Sequence, residues 1–236
     1  MRLILCGLFL LSTAYAADFS KADALFAQRE NNFDAIHQAR ALYQDVLYND
    51  GDQTEQMRAM NQLGKLAYYE GELLTPMDDS STRKSIFAQN QEYAEHVGSA
   101  YWKALSLALW CQSASSAEAW WYLDDFKAAA NLAFENDVIV NDGGIFRLLA
   151  GVYIKSTELE SYGLYDPKLA LEYANKAIEL GPNQLEAYWI KANVLRELKQ
   201  PEAAKQLLEN ILETFHSTPE LEPENKVISE RIKKEL

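Results

Sequence analysis

The chain has 236 residues, 22 Lys and Arg against 35 Asp and Glu, and a formal net charge of -13. A surplus of that sign repels nucleic acid and anionic membrane, so neither is an expected partner. Two cysteines, Cys6 and Cys111, exclude a disulfide framework once the first is removed as described next.

Met1-Arg2 gives a short basic start, Leu3 to Leu11 an apolar run, and Ala14-Tyr15-Ala16 a small-x-small cleavage site. Residues 1–16 therefore read as a cleavable signal peptide, too short to span a bilayer, and the expected location is periplasmic or secreted. Cys6 follows Leu5 inside the apolar run, so a lipid anchor is not expected and no membrane insertion follows cleavage. Loss of Arg2 takes the net charge one unit further below zero, and Cys111 then stands alone in an oxidising compartment. It sits in the apolar helical run Ala104 to Cys111, which suits a buried inert thiol rather than a nucleophile.

From there the pattern is helical almost throughout. About ten or eleven helices are predicted, over 20–29, 33–49, 53–71, 81–97, 99–112, 116–136, 144–157, 167–180, 183–198, 201–215 and 223–234. Breaks fall at Asn49-Asp50-Gly51-Asp52, Thr75-Pro76, Asn141-Asp142-Gly143-Gly144, Gly181-Pro182 and Thr218-Pro219. Asp166-Pro167 is a helix start, with Asp as N-cap and Pro in the first turn. Neither Asn-Asp-Gly segment carries the alternating acidic ligands and closing Glu of a calcium loop. His37, His96 and His216 are too scattered to form a ligand pair, so no metal and no cofactor is expected.

Repetition gives the fold. Ala170-x3-Ala174-x2-Ala177 and Ala204-x3-Leu208-x2-Ile211 begin 34 residues apart, the tetratricopeptide period. The helix between them supplies Tyr188, Lys191, Ala192 and Leu195 at the spacing of the W-x2-L-G-x2-Y signature. The same template finds Phe146, Leu149, Ala150 and Tyr153; Trp102, Leu105, Ser106 and Leu109; and Met60, Leu63, Gly64 and Ala67. Those earlier units start 42 to 44 residues apart, so they carry insertions, one of them Ser156 to Asp166. The chain thus resembles tetratricopeptide-repeat proteins: an all-α, helical-hairpin solenoid, a right-handed α-α superhelix with a groove on one side. The repeat domain is placed at 17–221, with its clearest units over 144–216, and residues 222–236 form a capping helix with a polar outer face.

Three stretches narrow the resemblance. Ala100-Tyr101-Trp102-Lys103-Ala104, Gly143 to Gly151, and Asp166 to Ala174 with Ala177 and Pro182 are similar to helices of the T component of TRAP transporters, a periplasmic family of irregular helical repeats around a central pore or cleft. What this resemblance implies is a ligand-binding or docking partner of a periplasmic solute-binding subunit. The family is usually lipid-anchored and has a loop after its Arg helix richer in Gly and Pro than Ser156 to Gly163, so this chain departs from it at both points.

Candidate binding residues are Trp102, Trp120, Trp121, Tyr122 and Arg147. Aromatics at helical spacing are most often core. Trp120-Trp121-Tyr122, however, cannot all point one way on a helix, so at least one should face a groove or a partner. Arg147 follows Gly143-Gly144 near a helix start. It reads either as a buried structural pair with Asp142 or Glu158, or as a clamp for a ligand carboxylate. No Ser or Cys stands beside a candidate base and no phosphate loop follows a strand, so catalysis is not expected. The expected partner is a protein, or a small apolar or carboxylate ligand.

Overall fold

The computed structural model describes residues 19–49 and 52–236. The expected signal peptide lies outside the described residues. Among the described residues the fold is all-α, without a strand, and no helix is long and apolar enough to cross a membrane.

A helix over 19–27 (α1) leads into α2 (Phe33–Tyr48) and α3 (Gln53–Tyr68), which continues as a π-helical turn over Tyr69–Leu74. Then come α4 (Ser80–Val97), α5 (Ala100–Ser113), α6 (Ser116–Trp120), α7 (Leu123–Asn136) and α8 (Gly144–Val152). A 3-10 turn over Thr157–Tyr162 precedes α9 (Pro167–Leu180), α10 (Leu185–Glu197), α11 (Pro201–Thr214) and α12 (Glu222–Glu235). Local chemistry sets these boundaries. Asp52 and Glu55 form a reciprocal capping box at the start of α3, and Ser115 and Glu118 do so at α6. Asp166 caps α9 by accepting from the backbone N–H of Lys168 and Leu169, with Pro167 in the first turn. Gly98, at φ +73°, closes α4 in the left-handed conformation that glycine adopts without strain.

Two expected helices are interrupted. The segment 116–136 divides into α6 and α7 at Trp121-Tyr122, and 144–157 stops at Val152, so that Ser156 to Asp166 forms the 3-10 turn and its flanks. Adjacent helices pack as hairpins through the template positions. Gly64, Ser106, Ala150 and Ala192, the small residues of the four units, are all buried. The reason for the small residue is visible at the first of them, where the Trp102 ring occupies the space that a Cβ on Gly64 would need. The lead residue of one unit thus fills the notch of the unit before it.

The second helices obey the same rule. Ala170 and Ala204 are fully buried. Ala170→Leu or Ala204→Leu is expected to overfill the contact and cost about 1–3 kcal/mol in a urea titration. A neutral result at both positions would show that the repeat register is wrong.

The last helix departs from a simple end cap. Its inner face buries Ile228 and Ile232, and Asn225 is locked between units, accepting from Leu185 N–H at 3.0 Å and donating to Asn183 O at 3.0 Å and Ser217 Oγ at 2.8 Å. This helix and the turn before it are tied to earlier parts of the chain. Arg29 holds Glu224 through Nε at 3.0 Å and Nη2 at 2.7 Å and also donates to the carbonyls of Glu220 and Phe26. Lys226 pairs with Glu30, Lys65 with Glu220 at 2.6 Å, and Arg231 donates to Glu72 O at 2.8 Å. Side chains from the two ends therefore meet, and the curved row of hairpins borders an interior space that remains partly open.

Candidate functional site: an interior pocket

The concave side holds a cavity of about 600 Å³ bounded by α1, α3, α5 to α8, α10 and α12. Most of its wall is apolar, including Leu105, Leu109, Leu123, Leu148, Val152 and Ile190. That volume is in the range of small-molecule sites, whose usual form is an apolar hollow with a few fixed polar groups.

The polar groups converge at one place. Asn141, Asp142 and Gly143 take left-handed backbone angles in succession, φ +51°, +52° and +74°. Only Gly143 does so freely; side chains hold the other two. Asn141 Nδ2 donates to the Tyr101 hydroxyl at 3.0 Å, and Gln184 Nε2 donates to Asp142 Oδ2 at 3.2 Å. This turn aims two carbonyls at Arg147, whose Nη1 donates to Asp142 O at 3.0 Å and Nη2 to Asn141 O at 2.8 Å. Arg147 is 4% exposed and lines the cavity. At Gly144 a Cβ would run into the buried Tyr101 hydroxyl and ring.

Glu186 faces Arg147 from the start of α10, with Oε2 3.5 Å from Nε, and its Oε1 accepts from the Tyr68 hydroxyl of α3. Tyr68 and Glu186 are 118 residues apart, so their contact spans the interior between distant hairpins. Glu186 is surrounded by protein yet keeps 23% of its side-chain surface open, because it lines the cavity. Burial pushes its carboxyl above the usual range and Glu72 adds to this, while Arg147, the Tyr68 hydrogen bond and Arg231 pull it down. Burial, reinforced by Glu186 and Glu72, also holds the Tyr68 phenol well above its ordinary value, so it remains a donor. Glu72 itself is held by Arg83 and by Arg231 at 3.5 Å.

The five candidate residues separate. Arg147 lines the cavity, but its carboxylate partner is Glu186, not Asp142 or Glu158; Asp142 offers only its carbonyl. Trp120 lines the cavity and stacks on Tyr162 at 4.5 Å. Trp121 is 85% exposed on the outside, and Tyr122 packs on Trp110 at 4.6 Å. The helix break at this point sends the three aromatics into three environments. Trp102 is fully buried, its Nε1 donating to Asn61 Oδ1 at 2.7 Å, so it supports the wall behind Tyr101 and does not line the cavity.

Cys111 also lines the cavity, and burial pushes its thiol up to about 11, which keeps it protonated at neutral pH. Sequence reasoning passed over Tyr68, Tyr101, Glu186 and Trp189. The repeat register carried a usable signal for several of them. Arg147 and Trp189 each follow the lead aromatic of their unit by one position, Leu148 and Ile190 by two, and Gly144 and Glu186 precede it by two; all six line the cavity.

No family model matches this chain, and no curated protein matches it in sequence.

Proposed function

We propose that this chain is an exported, non-enzymatic binding protein that holds one small amphipathic molecule within its curved array of tetratricopeptide-like hairpins. The observation that carries this reading is the cavity of about 600 Å³, apolar over most of its wall and polar at the Arg147–Glu186–Tyr68 cluster. An apolar tail gains by leaving water against Leu105, Leu148 and Ile190. The chemistry offered is recognition: fixed donors and acceptors, a thiol kept protonated, and no histidine among the lining residues. Together with the three resembling stretches, this supports a periplasmic role as the T component associated with a TRAP transporter, presenting its ligand to a solute-binding subunit.

A generic adaptor for envelope proteins is the second reading, favoured by Trp121, whose indole stands 85% exposed on the outer surface.

Gly151 supplies the test. It lines the cavity, and a Cβ built on it meets nothing within 4 Å, so Gly151→Phe projects a ring into the empty space without a backbone clash. Titration with decan-1-ol, followed through Trp120 and Trp189 fluorescence, is expected to saturate at one molecule per chain. Gly151→Phe should lose the response while keeping its helical circular dichroism. An unsaturable response, or the same response in both proteins, would overturn the small-ligand reading.

A further inference from the structure

We infer that the head group of the ligand is an anion received by Arg147 and Tyr101, and that its arrival is coupled to the uptake of one proton by Glu186. The inference rests on the reading of the cavity as a small-molecule site.

Arg147 is positioned as a fixed donor. Its guanidinium is pinned by the carbonyls of Asn141 and Asp142, which use one hydrogen on each terminal nitrogen, and it also donates toward the Tyr101 hydroxyl, which leaves one terminal N–H for an incoming acceptor. The Tyr101 hydroxyl lies beside it, 2% exposed, accepting from Asn141. Its own hydrogen enters none of the side-chain hydrogen bonds among the described residues. Buried donors of this kind favour an acceptor that completes them, and an anion most of all.

Glu186 is the group that must answer to such an arrival. At 3.5 Å its oxygen is too far from Arg147 Nε for a good N–H···O bond, so the pair is held by charge more than by contact. The groups facing Glu186 come from five elements: Tyr68 from α3, Glu72 from the π turn, Tyr101 from α5, Arg147 from α8 and Arg231 from α12; α9 and α11, which also pack on α10, contribute no charged group to it. Within this cluster Arg83 and Arg231 are engaged with Glu72, which leaves Arg147 as the cation nearest to Glu186. A ligand carboxylate on Arg147 puts a second carboxylate around one guanidinium in a poorly solvated space. Like charges there favour protonation of one of them. Burial already inclines Glu186 that way, and its Tyr68 partner still has an oxygen to bond. The balance is simple: the anion and one proton enter together and the charge of the interior is unchanged.

Decanoate and decan-1-ol, which differ only in head group, test this on the intact chain. Between about pH 6 and pH 8, where free decanoic acid stays ionised, decanoate affinity is expected to rise as pH falls, by up to about tenfold per unit. Calorimetry in buffers of different ionisation enthalpy should read close to one proton taken up per decanoate, and none for decan-1-ol. In Glu186→Gln, decanoate should bind with no pH dependence and no proton uptake, with an unchanged helical circular dichroism spectrum showing that the fold is intact. Wild-type decanoate binding that is independent of pH and moves no proton overturns the inference while decan-1-ol still binds. Proton uptake that persists in Glu186→Gln overturns it equally. If neither probe binds at any pH, the small-molecule reading itself falls, and this inference with it.

Discussion

Arg29→Ala is expected to lower the unfolding free energy by about 3–5 kcal/mol, the scale seen when one partner of a buried ion pair is removed. The guanidinium is 2% exposed and its partner Glu224 15%, so truncation strands a carboxylate away from water. Two carbonyls, of Glu220 and Phe26, lose their donor at the same time. The stacking of the guanidinium on Phe26, 4.1 Å from the ring centre, and on Tyr69, at 5.6 Å, goes as well. The effect should appear as a lower urea midpoint with an unchanged slope. Hydrogen exchange should quicken in α12 before the middle hairpins, because Arg29 ties that helix to α1. Replacing Arg29 and Glu224 together should recover part of the loss, since no charge is then left alone. A change below about 1 kcal/mol, the scale of an exposed pair, would mean that the seam between the chain ends is open in solution.

Trp102→Ala should cost a similar amount, about 3–5 kcal/mol, for a different reason. The indole is fully buried and fills the notch at Gly64. Its ring meets Tyr101 edge-on at 4.7 Å, and its N–H satisfies Asn61 at 2.7 Å. Truncation leaves a hole between two repeat units, an acceptor without its donor, and Tyr101 free to move. Thermal unfolding of Trp102→Ala and Trp102→Phe checks this. The phenylalanine variant should lose less, because it keeps most of the volume, and a negligible loss in the alanine variant would remove Trp102 from the core. Because Tyr101 is a wall of the cavity, the alanine variant should also weaken decanoate binding.

The hairpin array was legible in the sequence because its cause is periodic. Small residues at Gly64, Ser106, Ala150 and Ala192 recur against large ones at Met60, Trp102, Phe146 and Tyr188, and close packing of helices demands that alternation. Helix starts were legible where a cap is chemically explicit, as at Asp166-Pro167. The division of α6 from α7 was not, since no Gly or Pro marks Trp121-Tyr122, where the three aromatics part into separate surroundings. The meeting of the two ends left no trace at all in periodicity. It depends on Arg29 with Glu224, and Lys226 with Glu30, pairs almost 200 residues apart whose members look like ordinary surface charges until the fold brings them together.

The site was half legible for the same reason. Arg147 stood out by its position after a glycine turn, but its partner Glu186 belongs to another unit and its neighbour Tyr101 to a third. Trp102 stood out by size, yet size argued equally for the core, where it lies. Reading offsets within each repeat, rather than conspicuous residues, would have gathered Arg147, Leu148, Glu186, Trp189 and Ile190 on one inner face.

Everything proposed for the cavity depends on the two ends of the chain meeting. Treatment of the unmodified protein with a zero-length carbodiimide, followed by peptide mass mapping, reads that contact without any substitution. Amide links between Lys226 and Glu30 and between Lys65 and Glu220, formed within single chains and insensitive to protein dilution, are the expected products. Absence of both links, or their formation only between chains, would show that the two ends stay apart in solution.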